Sequence, residues 1–407
     1  MKIVIINDYA KVQGGSAQVA IKSAVGLARL GYTVTFVYGG GGFDSSLDHK
    51  NITLLDLGQY DLLSNPSKID AAKNGLWNFE VERKLFAFLR FLDVSKTIVH
   101  IHSWVKSLST SVFSVVFRLN LSCVVTLHDY FSVCPNGGLY NYQRKRVCLL
   151  RPMSCGCFFS NCDSRSYYHK LWRYLRQVMY AKSKFPNNVI NFITVSKYSE
   201  LILRQFLPMS AKYWHISNPV ESIQNSPASP HKSKIFTYVG RLSQEKGLEL
   251  LLELKCFTGK SLRFVGIGDL EPILKQKFPE AKFLGWCSWS EIDRVLTDTR
   301  ALLFTSQLYE THGLVVAEAA ARGVPSIVSN ISAAKDYVEH KKTGLLFQSG
   351  STRSLEEQMK VASKDDSLVE AMGAECYTRY WNSPLSLDSH VNDLLNCYNS
   401  ILEKCRN

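Results

Sequence analysis

The sequence predicts an α/β protein made of two Rossmann-like, doubly wound domains facing a central cleft. Three observations carry the prediction. Short apolar runs alternate with helical patterns in the first half of the chain, and the alternation starts again in the second. Between the halves, a stretch rich in Ser and Pro, residues 222–233, reads as a linker. With 407 residues, the chain is also longer than one core usually serves.

In the first half, residues 2–6 form the first strand. Ser16 is a candidate N-cap for a helix over residues 17–30, and Gly31 closes it. Residues 33–38 are the second strand. Residues 97–102 and 123–128 are apolar runs that end in His102 and His128, residues 188–195 are another strand, and a helix starts near Ser196. In the second half the strands are residues 235–239, 262–265, 282–284, 301–304 and 325–328, and residues 385–405 have helical apolar spacing. The expected division is residues 1–218 and 219–375, with residues 376–407 as a C-terminal tail.

Composition narrows the function classes. The hydrophobic fraction of 46% is ordinary for a globular protein. No run approaches the roughly 20 apolar residues that span a bilayer. Residues 1–8 read as a strand rather than a signal peptide, so a cytoplasmic protein is expected. The formal charge is +13. It concentrates between Asn141 and Lys184, which hold ten Lys or Arg and the single acid Asp163. Interleaved aromatics (Phe158, Phe159, Tyr167, Tyr168, Trp172, Tyr174 and Tyr180) favour an anionic membrane surface over nucleic acid, for which no binding motif is present. The competing reading is a solvated helix face with aromatics in the core.

The most informative segment runs from Ser306 to Pro325. Glu310 falls in the loop after the strand of residues 301–304, and Glu318 falls a turn or more inside the next helix, with seven residues between them. That loop lies at the strand edge where open α/β sheets bind ligands. The helix start near Gly313 offers unpaired N–H groups and the positive dipole end, which suit a phosphate. The loop after residues 235–239 carries Arg241 and Lys246. Two cations beside a helix start form a clamp for a diphosphate. Gly266 and Gly268, and the pair Gly14-Gly15, stand at further strand ends. His128 at a strand end could bind a sugar hydroxyl or carry a proton. His100 and His102 share one face of their strand and read as packing or supporting residues.

Taken together, Gly14-Gly15, His128, Gly240-Arg241…Lys246-Gly247, Gly266-x-Gly268 and Glu310-x₇-Glu318 resemble the retaining glycosyltransferases of family four, which have the GT-B fold. Gly323-Val-Pro325 and Thr343-Gly-Leu-Leu-Phe347 also match, so the resemblance reaches from the start to about Phe347. It implies that a nucleotide-diphosphate sugar binds the second domain, with Arg241 and Lys246 on the diphosphate together with Gly15 and the backbone of Gly313, Leu314 and Val315. Glu318 would hold the ribose, Glu310 the transferred sugar, and His128 would contact that sugar near its reacting carbon. Glu310 and His128 are thus the catalytic candidates. The resemblance further implies retention of anomeric configuration, no metal for catalysis, and a C-terminal helix crossing back to the first domain, which Trp381 and residues 385–405 fit. His312 departs from the pattern and leaves the donor sugar open.

Five of the eleven cysteines, Cys134, Cys148, Cys155, Cys157 and Cys162, cluster after His128 in a basic insertion over about residues 130–185. Their spacing matches no standard zinc motif, yet four could pin a long loop as a tetrahedral thiolate site. The alternative is buried thiols, the reading also taken for Cys123, Cys256, Cys287, Cys376, Cys397 and Cys405. The expected function is sugar transfer to a lipid-linked glycan acceptor at the inner face of a bacterial membrane, in surface-polysaccharide synthesis. The rivals are a nucleotide-sugar epimerase on the same fold and a basic membrane- or nucleic-acid-binding module.

Overall fold

The computed structural model describes residues 1–404, so Cys405 lies outside the described residues. The chain divides into two compact units. The first holds Met1–Gly138, Leu149–Pro219 and the segment from Leu387 onward; the second holds Leu139–Cys148 and Val220–Ser386.

The first unit is built on β1 (Lys2–Asn7), β2 (Thr33–Tyr38), β3 (Ile52–Asp56), β4 (Thr97–Ile101) and β5 (Ser122–Leu127). A short antiparallel hairpin, β6 (Tyr140–Asn141) and β7 (Arg146–Val147), groups with the second unit. The first sheet is completed by β8 (Asn191–Thr194) and β9 (Lys212–His215). Its order is β3-β2-β1-β4-β5-β8-β9, all parallel. The central strands are buried along nearly their whole length, which is why they read as continuous apolar runs rather than alternating ones. Parallel pairing demands crossovers, and the helix Gly15–Arg29 supplies the first. It is capped by Gly14 in an extended positive-φ conformation (φ 125°), not by the expected Ser16. The helix Leu387–Lys404 packs onto Gly15–Arg29 so closely that a Cβ on Gly26 would meet Val391 at 2.5 Å.

The second unit repeats the plan with β10 (Phe236–Val239), β11 (Leu262–Val265), β12 (Lys282–Phe283), β13 (Ala301–Phe304), β14 (Ser326–Ser329) and β15 (Gly344–Phe347), in the order β12-β11-β10-β13-β14-β15. All pair in parallel, and Phe236, Phe264, Leu303 and Ile327 help fill one face of the sheet. Register sets the ends of β10, β11 and β13 level, so the loops at Gly240, Gly266 and Thr305 leave one edge together. The strands β3 and β9 carry no clear apolar run, and their residues are half-exposed at or near the sheet's margins.

Candidate functional site

In the second unit, Gly247 closes the turn after β10 with φ 75°. A Cβ there would meet the Thr305 carbonyl oxygen at 2.0 Å, so only glycine allows this loop to lie against the end of β13. The Thr305 hydroxyl donates to the Lys246 carbonyl at 2.8 Å and fixes the lysine backbone. Lys246 Nζ then reaches Glu310 Oε1 at 2.5 Å, and the Ser306 hydroxyl donates to the same oxygen at 2.8 Å. Burial pushes the Glu310 carboxyl up, but the Lys246 charge and hydrogen bond, Ser306 and Arg241 outweigh it and hold the group below its ordinary value.

Arg241 is 71% exposed and lies 3.9 Å from Glu245, so its guanidinium faces solvent. The helix Leu314–Ala321 begins three residues beyond Thr311. Its N-cap Gly313 has φ 107°, where a Cβ would meet Ala334 at 2.6 Å. No side chain caps this helix, and the first N–H groups of a helix lack partners within it. Glu318, one turn in, lines a small pocket with Trp289, Asp293 and Arg322. His312 is buried, with Nε2 3.0 Å from the Tyr337 hydroxyl, so it packs inward. The structure therefore places Lys246 and Glu310 in contact, Arg241 and the Gly313–Val315 backbone on the same strand-end loops, and Glu318 in its own pocket. Ser306 was missed; its only sequence signal is its position four residues before Glu310. Gly266 and Gly268 have a packing reason: added Cβ atoms would meet the Gly240 and Leu242 carbonyls at 2.0 and 2.3 Å.

In the first unit, the ends of β1, β4 and β5 carry Asp8, His102 and His128. His102 Nδ1 lies 2.9 Å from His128 Nε2, with the rings stacked at 5.2 Å. Burial, with the charges of the neighbouring histidines, drives His102 well below its ordinary pKa and keeps it neutral. One ring of the pair must donate and the other accept, so His102 orients His128. Asp129 is pushed up to about 6 by burial, against the Phe131 N–H and Arg176, which lower it. Gly15 faces open space: an added Cβ would meet nothing within 4 Å.

The cysteine-rich insertion is pinned by cations. Lys170, fully buried, donates to the carbonyls of Cys157 and, at 3.3 Å, Phe158. Arg176, also buried, donates to the Val105 and Pro135 carbonyls and stacks on Phe131 and Trp172. Arg173 pairs with the buried Asp163 at 3.2 Å. Of the two readings of the cysteine cluster, the thiolate metal site is the one this arrangement speaks against. Among the described residues no group of three or more His, Cys, Asp or Glu side chains could hold a metal ion. Cys155 is exposed, Cys148 belongs to the second unit, and Cys134 and Cys162 are bridged by Asn136. The basic block is thus neither wholly solvated nor wholly a ligand surface. Among the described residues no helix is long and apolar enough to cross a membrane.

Residues 219–379 match the family model of glycosyl transferases group 1. A capsular polysaccharide biosynthesis glycosyltransferase, CapM, of Staphylococcus aureus is 26% identical over 42% of this chain and 47% of its own length. The chain spans about half the length of the first curated relatives it matches. Among solved structures, sucrose-phosphate synthase from Thermosynechococcus elongatus has a TM-score of 0.72 at 16% identity and covers 99% of both chains. Anabaena Alr3699/HepE in complex with UDP-glucose has a TM-score of 0.65 at 16% identity, covering 98% of this chain and 100% of its own. These neighbours share a two-domain α/β GT-B fold with this protein.

Proposed function

Because the chain carries a group 1 glycosyltransferase domain on a GT-B fold, we propose that it moves a sugar from a nucleotide-diphosphate donor to a glycan, with retention of anomeric configuration. The observation that carries the reading is the Lys246–Glu310–Ser306 cluster beside the uncapped helix at Gly313. A diphosphate leaving group gains negative charge as the bond from its oxygen to the sugar C1 breaks. Lys246, the exposed Arg241 and the N–H groups of Leu314 and Val315 are the groups that stabilise that charge. Glu310, ionised across the physiological range, accepts hydrogen bonds from the transferred sugar's hydroxyls. Glu318 takes the ribose. The acceptor oxygen bonds to C1 on the face the phosphate leaves, and its proton passes to the phosphate oxygen. His128, oriented by His102, is the first unit's candidate to bind a sugar hydroxyl or hold a proton. The Anabaena neighbour's UDP-glucose complex supports a nucleotide-sugar donor.

The acceptor in this reading is lipid-linked and met at the inner membrane face, in polysaccharide synthesis of the kind named for the Staphylococcus aureus relative. In the first unit Leu149, Phe159 and Tyr168 are 87%, 75% and 83% exposed, and Arg151 and Arg165 are exposed in the same insertion. Apolar side chains among cations suit an anionic lipid surface.

A thermal-shift panel of UDP-, GDP- and ADP-sugars tests the donor site. One class should raise Tm in the wild type and lose most of that rise in Lys246→Ala. A flat response to every class would overturn the reading. Sedimentation with anionic liposomes, compared with a Leu149→Glu/Phe159→Glu variant, tests the membrane part: equal binding by both proteins would sink it.

A further inference from the structure

His312 stands between the two groups on which the donor reading relies, Glu310 and the helix start at Gly313. Its ring is buried, whereas Thr311 and Gly313 on either side are half-buried. A buried polar ring needs a partner. Here His312 Nε2 lies 3.0 Å from the Tyr337 hydroxyl, with the ring centroids 5.6 Å apart and tilted by 55°. Tyr337 closes the 3₁₀ turn Ala333–Tyr337, which follows β14. Burial, with the nearby Asp336 carboxylate, holds its phenol above the ordinary pKa, so the hydroxyl keeps its proton.

The turn is itself anchored at both ends. The Ser332 hydroxyl accepts the Ala334 N–H at 3.1 Å and caps its start. The Thr343 hydroxyl accepts the Glu339 N–H at 2.8 Å and donates to the Tyr337 carbonyl at 3.4 Å. Tyr337 also packs against the apolar clusters that hold Val316, Ala317 and Ala319 of the helix Leu314–Ala321. Two backbone contacts run from the turn to the loop before that helix. The Ala333 N–H donates to the Glu310 carbonyl at 3.2 Å, and a Cβ on Gly313 would meet Ala334 at 2.6 Å.

Lys246 and Ser306 hold Glu310 by its carboxylate, so they fix the side chain and not the path of the chain beyond it. That path ends in Gly313 at φ 107°, a residue with no Cβ to restrict its turning. The His312 ring bond fixes the residue between. We propose that His312, through Tyr337, is a positioning residue: it holds the loop from Glu310 to Gly313 in the conformation that presents the Glu310 carboxylate and the Leu314 and Val315 N–H groups together to the sugar and second phosphate of the donor. What the loop binds rests on the transferase reading; the strut itself rests on the geometry. With its ring committed to Tyr337, His312 does not select the sugar. A loop released from the strut spends less time in the competent conformation, and the apparent Kd rises by the inverse of that fraction.

Titration calorimetry on the full chain tests it with UDP-glucose, UDP-N-acetylglucosamine, GDP-mannose and ADP-glucose. UMP, GMP and AMP serve as probes that lack the second phosphate and the sugar. Tyr337→Phe removes one oxygen and keeps the ring. It should weaken the sugar nucleotide that binds the wild type about tenfold, the result of a competent fraction of roughly one tenth, and the matching monophosphate less than about twofold. His312→Phe should behave alike. His312→Gln, whose amide can meet the same hydroxyl, should stay within about threefold of the wild type. A merely structural role would lower the Tm of the unliganded protein and leave both kinds of ligand bound as before. Unchanged donor binding in Tyr337→Phe, equal weakening of donor and monophosphate, or no rescue by His312→Gln would each overturn the inference. If the wild type binds a sugar nucleotide and Tyr337→Phe binds it equally, the positioning role fails and the transferase reading stands. If the wild type binds none, the transferase reading fails and the positioning role falls with it.

Discussion

The two units share a plan and differ in what they place at the same edge. Each is a parallel sheet whose strand ends lead through glycine-bearing loops to a helix with no side-chain cap, at Gly15 in the first and Leu314 in the second. In the second unit the edge holds a lysine locked to a half-buried carboxylate, beside a loop turn at Gly247 that only glycine permits. In the first it holds histidines and carboxylates tied down by hydroxyl and backbone N–H donors. One backbone architecture therefore presents a lysine–glutamate pair at this edge in one unit and histidines with carboxylates in the other. Ligand charge is decided by a few loop side chains, not by the fold.

Removing Lys246 should break that contrast most severely. Lys246→Ala removes the cation proposed to face the leaving group and takes from the half-buried Glu310 its paired lysine, leaving the Ser306 hydrogen bond. Transfer should fall by about 10²–10³-fold in kcat, the scale of losing one electrostatic stabiliser. The double variant with Glu310→Ala should fall less than the product of the two single losses, because the residues act as one unit. Independent, multiplicative losses in steady-state kinetics would show that the ion pair is incidental.

The same substitution made in both units sharpens the comparison. Gly247→Ala forces a Cβ to 2.0 Å from the Thr305 oxygen at φ 75°, and should cost roughly 2–4 kcal/mol. Gly15→Ala puts its Cβ into open space at a helix start and should leave stability within about 0.5 kcal/mol. Urea unfolding of both variants checks this. Equal costs would mean that the close approach at Gly247 is relieved by loop movement.

Acid should separate the units. His390, whose Nδ1 lies 2.8 Å from the Ser217 carbonyl, must be protonated there to donate, so Nε2 carries the lone pair facing Ser23 at 2.9 Å. Burial lowers its pKa from 6.5 to about 4, against the Ser217 bond, which raises it. A depressed folded pKa means that the unfolded chain takes the proton first. His390 therefore stabilises the fold above about 6.5 and loses that contribution as pH falls toward about 4. The loss is on the order of 2 kcal/mol by pH 5. Glu310 is also depressed, but from the carboxylate range, so its contribution is kept until pH falls to the ordinary value of 4.5 and fades below it. Amide protection of the helix Leu387–Lys404 should drop between pH 7 and pH 5, after correction for intrinsic exchange, before that of β13. His390→Gln should flatten the drop. Simultaneous loss in both places would refute the separation.

Much of this plan was legible because physics writes it locally. Buried parallel strands have to be apolar throughout, so β2, β11 and β13 stand out with their ends correct. Loop cations and carboxylates at strand ends likewise announce Arg241, Lys246 and Glu310. What was hidden depends on contacts remote in sequence. Half-exposed β3 and β9 lack the apolar signature. Asp8 is buried only because N–H groups a hundred residues later close over it. The cysteine count suggested a metal pin, whereas Lys170 and Arg176 turn inward to carbonyls, and no local pattern distinguishes them from the exposed cations around them.

The finest test compares how the two units fasten their C-terminal helices, with the same oxygen deleted from each. In the first unit the Tyr398 hydroxyl lies 2.6 Å from His100 Nδ1, and His100 Nε2 lies 2.6 Å from the Thr126 hydroxyl, all buried. Burial holds the phenol well above its ordinary pKa and His100 well below its own, so both are neutral. Tyr398→Phe leaves a buried ring nitrogen without its partner and should cost about 1–2 kcal/mol. In the second unit the Tyr380 hydroxyl meets Ser222 at 2.7 Å, and Ser222 is only half-buried. Water can replace the lost oxygen there, so Tyr380→Phe should cost under about 0.5 kcal/mol. Reversal of that order in urea melts would mean that the polar seam beneath the last helix is not what holds it to the first sheet.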